Sequence, residues 1–318
     1  MQDPFTSRLA TRMQGVKSSA IRELLKMANQ PNVISFAGGL PAPELFPLDA
    51  MRAAADRVLE RDGRKALQYG PTEGIAPLRE LIAARANAAD PHAEPVRPEQ
   101  VLVTTGSQQA LDLLAKVFLD PGDPIVTENP SYLGALQSFR LFQASYWTVD
   151  MDDEGAMPQA LDPLLARGPK FAYLLPSYQN PTGRSMGPER REQVVELFRR
   201  HQVPLVEDDP YGALCFGEPA GATLRSLAPE LTLHLGTFSK TLAPGLRLGW
   251  VIGPEEWVAR LAQVKQSSDL HTSTLSQHVA LEVMGAGIID DHIGKICAAY
   301  GERCQAMLDG SKPIPDLH

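Results

Sequence analysis

The stretch TFSKTLAPGLRLGW, residues 237–250, sets one lysine among hydroxyls and places an arginine seven residues later. Lys240 has the chemistry to form a Schiff base with an aldehyde. Thr237 and Ser239 can hydrogen-bond a phosphate ester, and Arg247 can take the same dianion in a bidentate fork. A covalently held, phosphate-bearing cofactor needs that combination, whereas the bland alternative is a surface loop carrying one lysine and one arginine. The stretch also carries a topological demand. Arg247 precedes the apolar run LGWVIG (248–253) instead of following it. If Arg247 is to reach the edge where Lys240 emerges, that strand must run antiparallel to its neighbours, and the sheet must be mixed.

Working outward, short apolar runs alternate with longer helical patterns. The runs are VLVTTG from Val101, PIVTE from Pro124, FAYLLP from Phe171, VPLVED from Val203 and LTLHLG from Leu231, all suited to strands buried on both faces. Between them, QQALDLLAKVF from Gln108 puts Leu111, Leu114 and Phe118 on one stripe, and PERREQVVELFRRH from Pro188 reads as a second helix. Strand and helix in alternation predict an α/β fold with a mostly parallel sheet. In such sheets ligands collect at the carboxyl ends of the strands. The polar residues there are Gly106-Ser107-Gln108 opening a helix, Tyr132, Asn180 in the turn Asn-Pro-Thr-Gly, and Asp208, Asp209 and Tyr211. A helix opening offers backbone N–H groups and a dipole to a phosphate, although Ser107 could equally be a plain cap.

Composition narrows the classes of function. The 318 residues are 43% hydrophobic with a formal net charge of −8, enough to bury a substantial core. No basic run stands out, so a nucleic-acid or anionic-membrane surface is not expected. The N-terminus has no apolar signal-peptide core and no stretch approaches the ~20 apolar residues of a membrane span, so a cytoplasmic location is expected. Cys215, Cys297 and Cys304 are odd in number without C-x-x-C spacing, which argues against a disulfide framework and a structural zinc site; no metal is expected.

Seven ordered motifs, SAIRELLK, ISFAGGLP, LQYGPTEG, TTGSQQALD, QNPTG, VEDDPY and SKTLAPGLR, together resemble the class I/II aminotransferases of pyridoxal-phosphate fold type I. The likeness is to the bacterial 2-aminoadipate and branched-chain or aromatic subgroup, over about residues 15–310. It implies pyridoxal 5'-phosphate as cofactor, amino acid and 2-oxo acid as substrates, and a homodimer with shared active sites. Under it Lys240 carries the cofactor and moves the substrate proton, and Asp208, preferred to Asp209 by its spacing to Tyr211, pairs with the pyridine nitrogen. Asn180 and Tyr211 donate to the ring oxygen, and Tyr132 stacks on the ring. The Ser107 and Gln108 amides, Ser239, Arg247 and Thr237 hold the phosphate, joined by Tyr69 from the neighbouring subunit. Gly38 and Gly39 resemble the loop that approaches substrate, with Asn180 also placed there. Arg22 could pair with a distal carboxylate, against a reading as a solvated helix residue. Pro210 departs from the alanine common in the family.

The resemblance implies three parts: an N-terminal arm with part of a small domain (1–50), a large cofactor-binding domain (51–285), and the start of a C-terminal small domain (286–318). The family fixes the substrate carboxylate with an arginine in that last domain, and no arginine follows Arg303. The chain therefore reads as C-terminally truncated, with turnover expected to suffer. Two alternatives stay open: a cofactor-binding fragment without turnover, and the effector domain of a winged-helix regulator, for which residues 1–30 are too short to supply the DNA-binding part.

Overall fold

The computed structural model describes residues 6–15, 39–217 and 221–311. In chain order its principal elements are α1 (Leu48–Ala66), α2 (Ala76–Ala89), β1 (Val101–Thr104), α3 (Ser107–Phe118), β2 (Pro124–Glu128), α4 (Leu133–Leu141), β3 (Ser145–Val149), and a small hairpin of β4 (Met151–Asp152) and β5 (Gly155–Ala156). There follow α5 (Pro158–Leu165), β6 (Ala172–Leu174), α6 (Pro188–His201), β7 (Leu205–Asp208), α7 (Leu224–Leu227), β8 (Thr232–Thr237), β9 (Gly249–Ile252), α8 (Glu255–Ser268), α9 (Thr274–Gly285) and α10 (Ile288–Gly310).

Seven strands form one sheet in the order β1-β9-β8-β7-β6-β2-β3. β9 pairs antiparallel with both β1 and β8, and the other pairings are parallel. The mixed sheet demanded by the position of Arg247 is the one observed. All six apolar runs become strands. The sequence reading does not mark β3, and burial explains why: SYWTV is an edge strand with only its last residue fully buried, so it lacks the continuous apolar run of its neighbours.

Alternation along the strands sorts the core into layers. Leu102, Ile125, Tyr173, Val206, Leu233 and Val251 point to one face, where α3, α4 and α8 cover them. Their neighbours point the other way and divide. Val101, Val103 and Ile252 pack under α1, α2 and α9, while Val126, Ala172, Leu174 and Leu205 pack under α5 and α6. Burying each such side chain contributes about 1.5–3 kcal/mol, so both layers are needed to hold the sheet flat against its helices. Helix α6 illustrates the local logic. Pro188 occupies its first turn, Val194, Val195, Leu197 and Phe198 form its buried stripe, and Arg199, Arg200 and His201 lie at the dipole's negative end. Gln202, in the left-handed region at φ 54°, stops it.

Candidate active site

The parallel strands direct their carboxyl ends to one edge, and the antiparallel β9 begins there. A cavity of about 710 Å³ opens along this edge, lined among others by Ser107, Tyr132, Asn180, Asp208, Lys240 and Arg247. Residues from the carboxyl ends of five strands and the start of a sixth thus converge, as the sequence predicts.

One end of the cavity is built from backbone and glycine. Gly106 (φ 72°) occupies the cap position of α3 and Ser107 is its first helical residue, with no side-chain cap bond. Reading Ser107 as a plain cap therefore fails, and the first N–H groups of the helix stay without an intrahelical partner. A Cβ on Gly106 would lie 2.6 Å from Arg247 Nη2, and one on Gly249 would lie 2.7 Å from Ser107 N. Only glycine at both positions lets the guanidinium and β9 close on the helix start. Arg247 itself sits in the left-handed region (φ 53°), a conformation that costs a non-glycine residue about 1–2 kcal/mol. Its side chain is exposed, with Nη1 3.4 Å from the Pro244 carbonyl. Behind this end, Lys265 is fully buried and donates to Gln109 (2.9 Å) and Asp269 (2.7 Å). Asp269 in turn accepts from Thr105 Oγ1 at 2.8 Å, so the strand-to-helix turn is tied to α8.

Thr237 and Ser239 flank this region. Thr237 Oγ1 lies 3.1 Å from the Leu248 carbonyl, which can only accept, and it accepts from Ser239 N at 3.1 Å. The Thr237 hydroxyl is thereby committed to the loop, while Ser239 Oγ, 3.0 Å from it, keeps acceptor and donor capacity. The Gln108 side chain is also committed, donating to Ser138 Oγ (2.6 Å) and the Gly134 carbonyl (3.1 Å).

The other end is a buried carboxylate. Asp208 ends β7 at 3% exposure. Tyr173 OH donates to its Oδ2 at 2.5 Å, while Oδ1 is buried with no hydrogen-bond partner among the described residues. Burial pushes this carboxyl up to about 6, against the Tyr173 hydrogen bond, which lowers it. Asp209 differs. Its Oδ1 accepts from Gly212 N at 2.8 Å, closing the turn that carries Pro210 and Tyr211, and it does not line the cavity.

Between the two ends stand Lys240, Tyr132, Asn180 and Tyr211. Lys240 Nζ donates to the Gly39 carbonyl at 3.2 Å and lies 5.9 Å from the centre of the Tyr211 ring. Burial depresses its ammonium below the ordinary lysine range, favouring the neutral amine. Asn180 Nδ2 donates to Tyr211 OH at 3.3 Å. Burial raises both the Tyr211 and the Tyr132 hydroxyls, which remain protonated donors at neutral pH.

Two residues missed by the sequence reading support these groups. Gln179 Oε1 accepts from Thr182 N (2.9 Å) and Thr182 Oγ1 (2.7 Å), and its amide donates to the Pro130 carbonyl (2.8 Å), pinning the turn that holds Asn180. Tyr173 is the second. Its one signal in the sequence is a tyrosine amid an apolar strand, where a buried hydroxyl demands a partner. Tyr69 does not line the cavity; it is 78% exposed and meets His271 edge-on at 5.7 Å. Gly38 and Arg22 lie outside the described residues.

Residues 32–310 match the family model for aminotransferase class I and II. The chain is 45% identical over 298 residues to the 2-aminoadipate transaminase of Thermus thermophilus, covering 92% of this chain and 73% of that one. It is 41% identical over 301 residues to aromatic-amino-acid aminotransferase 1 of Thermococcus litoralis, covering 92% and 72%. Among solved structures it superposes on the α-aminoadipate aminotransferase LysN of Thermus thermophilus, crystallised with N-(5'-phosphopyridoxyl)-L-leucine. The TM-score is 0.89 at 42% identity, over 97% of this chain and 78% of that one.

Proposed function

The chain belongs to the class I and II aminotransferases, which depend on pyridoxal 5'-phosphate, and on that premise we propose that it moves an amino group from 2-aminoadipate, glutamate, leucine or an aromatic amino acid to a 2-oxo acid such as 2-oxoglutarate. The donor class rests on the two named relatives. The observation that carries the reading is Asp208 Oδ1, a buried acceptor without a partner on a residue that lines the cavity beside Lys240. Buried polar atoms demand partners, and a protonated pyridine nitrogen is a partner of the right charge. At the other end, the uncapped N–H groups at the start of α3 and the Arg247 guanidinium, brought close together by Gly106, are the donors and charge a phosphate ester needs. The residues present thus fit the cofactor.

Bound there, the cofactor supplies an electron sink for the pair left on the substrate α-carbon when its proton departs. The chain's own groups do the rest. Asp208 Oδ1 would hold the ring nitrogen's proton in place. Arg247, Ser239 and the Ser107 and Gln108 amides would hold the phosphate, Asn180 and Tyr211 would donate to the ring oxygen, and Tyr132 would cover the ring face. Lys240, whose ammonium form burial disfavours, would hold the cofactor covalently and take up the α-proton. Asn180 and Gly39, whose carbonyl meets Lys240, would contact the substrate.

The family resemblance assigns Tyr69 to the partner's cavity in a homodimer, and its 78% exposure in its own chain is compatible with that role. Cytoplasmic residence belongs to the same proposal; no helix among the described residues is long and apolar enough to cross a membrane. So does the domain division 1–50, 51–285 and 286–318, although α1 begins at Leu48, just before the first boundary. The test is turnover of each donor with 2-oxoglutarate by purified protein, with borohydride reduction and peptide mapping of the labelled lysine. A phosphopyridoxyl group on a lysine other than Lys240 would overturn the assignment.

A further inference from the structure

Tyr173 stands on β6, whose register sets Tyr173 opposite Val206 on β7. Asp208 is two residues beyond Val206, so by the two-residue period both side chains leave the same face of the sheet as diagonal neighbours. Such pairs lie within reach of a long aromatic side chain. The ring is fixed edge-on against Phe139 of α4, 5.6 Å between centroids, and Phe139 is fully buried. The hydroxyl therefore has one place to go, and it meets Oδ2 at 2.5 Å.

We propose that Tyr173 is the positioning residue for Asp208: by donating to Oδ2 it fixes the carboxylate's rotation and leaves Oδ1 as the one oxygen for the ring nitrogen. The inference rests on the reading of Asp208 given above. Burial alone would leave an aspartic acid neutral and unable to counter a pyridinium. A hydrogen bond donated to the ionised form opposes that. Tyr173 is suited to the task because burial and the nearby Asp208 charge hold its own hydroxyl well above the tyrosine range, so it donates at every working pH. The other charges felt at Asp208 are Asp209, which raises it, and His234 of β8, paired with Glu207 on the opposite face, which lowers it; the Tyr132 and Tyr211 hydroxyls lie across the cavity. Glu128 of β2 faces Tyr173 from the far side.

The test uses the apoprotein and the holoenzyme. In apoprotein labelled with ¹³C at aspartate carboxyls, the Asp208 signal is identified by its loss in Asp208→Asn, and its midpoint is expected near 6. Tyr173→Phe, which keeps the ring against Phe139, should raise the midpoint by roughly one to two units, the worth of one hydrogen bond to a charge. Replacing Tyr173 by 3,5-difluorotyrosine, a stronger donor of similar shape, should lower it, and this arm decides if the phenylalanine variant does not fold. In holoenzyme carrying ring-¹⁵N cofactor, Tyr173→Phe should move the nitrogen signal towards that of unprotonated pyridine. If neither substitution moves the Asp208 midpoint, or both move it the same way, Tyr173 is a packing residue and the proposal fails. If Asp208→Asn leaves the ring-nitrogen signal unchanged, Asp208 is not the ring's partner, and both readings fail together.

Discussion

The two ends of the cavity solve opposite problems. At the α3 end the binding groups are the backbone amides of a half-exposed helix start and an exposed arginine, drawn together by two buried glycines. At the β7 end a single carboxylate is sealed in the sheet with one tyrosine for company. The exposed end can share its load among several weak donors, so losing one is survivable. The buried end has no redundancy, because an uncompensated charge there carries its full desolvation cost.

The sharpest way to strain that contrast is to remove the residue between the ends. Lys240→Ala should abolish turnover, by about 10⁴-fold or more, since a covalent tether and a proton carrier vanish together; coupled assay of amino transfer measures it. Asp208→Ala comes next. Loss of one member of a buried pair costs roughly 3–5 kcal/mol, at least a hundredfold in the affected step. Exchange of the substrate α-proton at the wild-type rate would contradict it.

The same aspartate should behave in reverse without cofactor. Its folded value, about 6, lies above the ordinary 3.8. Between those pH values the unfolded chain has released a proton that the folded one retains, so apoprotein stability falls as pH rises through this window and is level above it. The two-unit rise corresponds to about 3 kcal/mol. Asp208→Asn should remove that slope, so at pH 7 its apoprotein should melt above wild type although its holoenzyme melts below. Calorimetry of both forms decides, and a variant apoprotein that melts lower would break the account of the buried end.

At the exposed end effects should be smaller. Arg247→Ala should weaken cofactor binding about ten- to a hundredfold, with turnover per bound site little changed. Equilibrium dialysis against cofactor gives the first number and saturating kinetics the second. Gly106→Ala should cost about tenfold in affinity, because its φ of 72° is strained for alanine and the added methyl meets the Arg247 guanidinium. If these two cost as much as Asp208→Ala, the claim of shared load is wrong.

What the sequence displays follows the same division. Buried strands announce themselves by apolar runs, and the position of Arg247 before its strand is enough to predict an antiparallel β9 in an otherwise parallel region. Lys240, Asp208, Asn180, Tyr132 and Tyr211 are visible because each follows or ends a strand, and the structure brings them around one cavity. What is hidden depends on register and on the third dimension. No pattern within AYL shows that Tyr173 faces Asp208; that follows only from the β6–β7 pairing. Gln179 stays hidden because its partners are a neighbouring loop and its own turn. The edge strand β3 escapes because half-exposed strands look like loops.

The antiparallel β9 has a consequence for the order in which the site is assembled. β1 sits at the sheet's edge and pairs with β9 alone, about 150 residues further along the chain. The strands of the ring end, β2, β6, β7 and β8, pair with one another over a span that closes earlier. At a ribosome's pace of about 5–20 residues per second, β1 and the head of α3 wait on the order of ten seconds for their partner to be made. Only late in that interval, once β7 and β8 are made, can the nascent chain hold its aspartate pocket, and it still lacks the anion cradle, so cofactor capture must follow synthesis of the segment through Ile252.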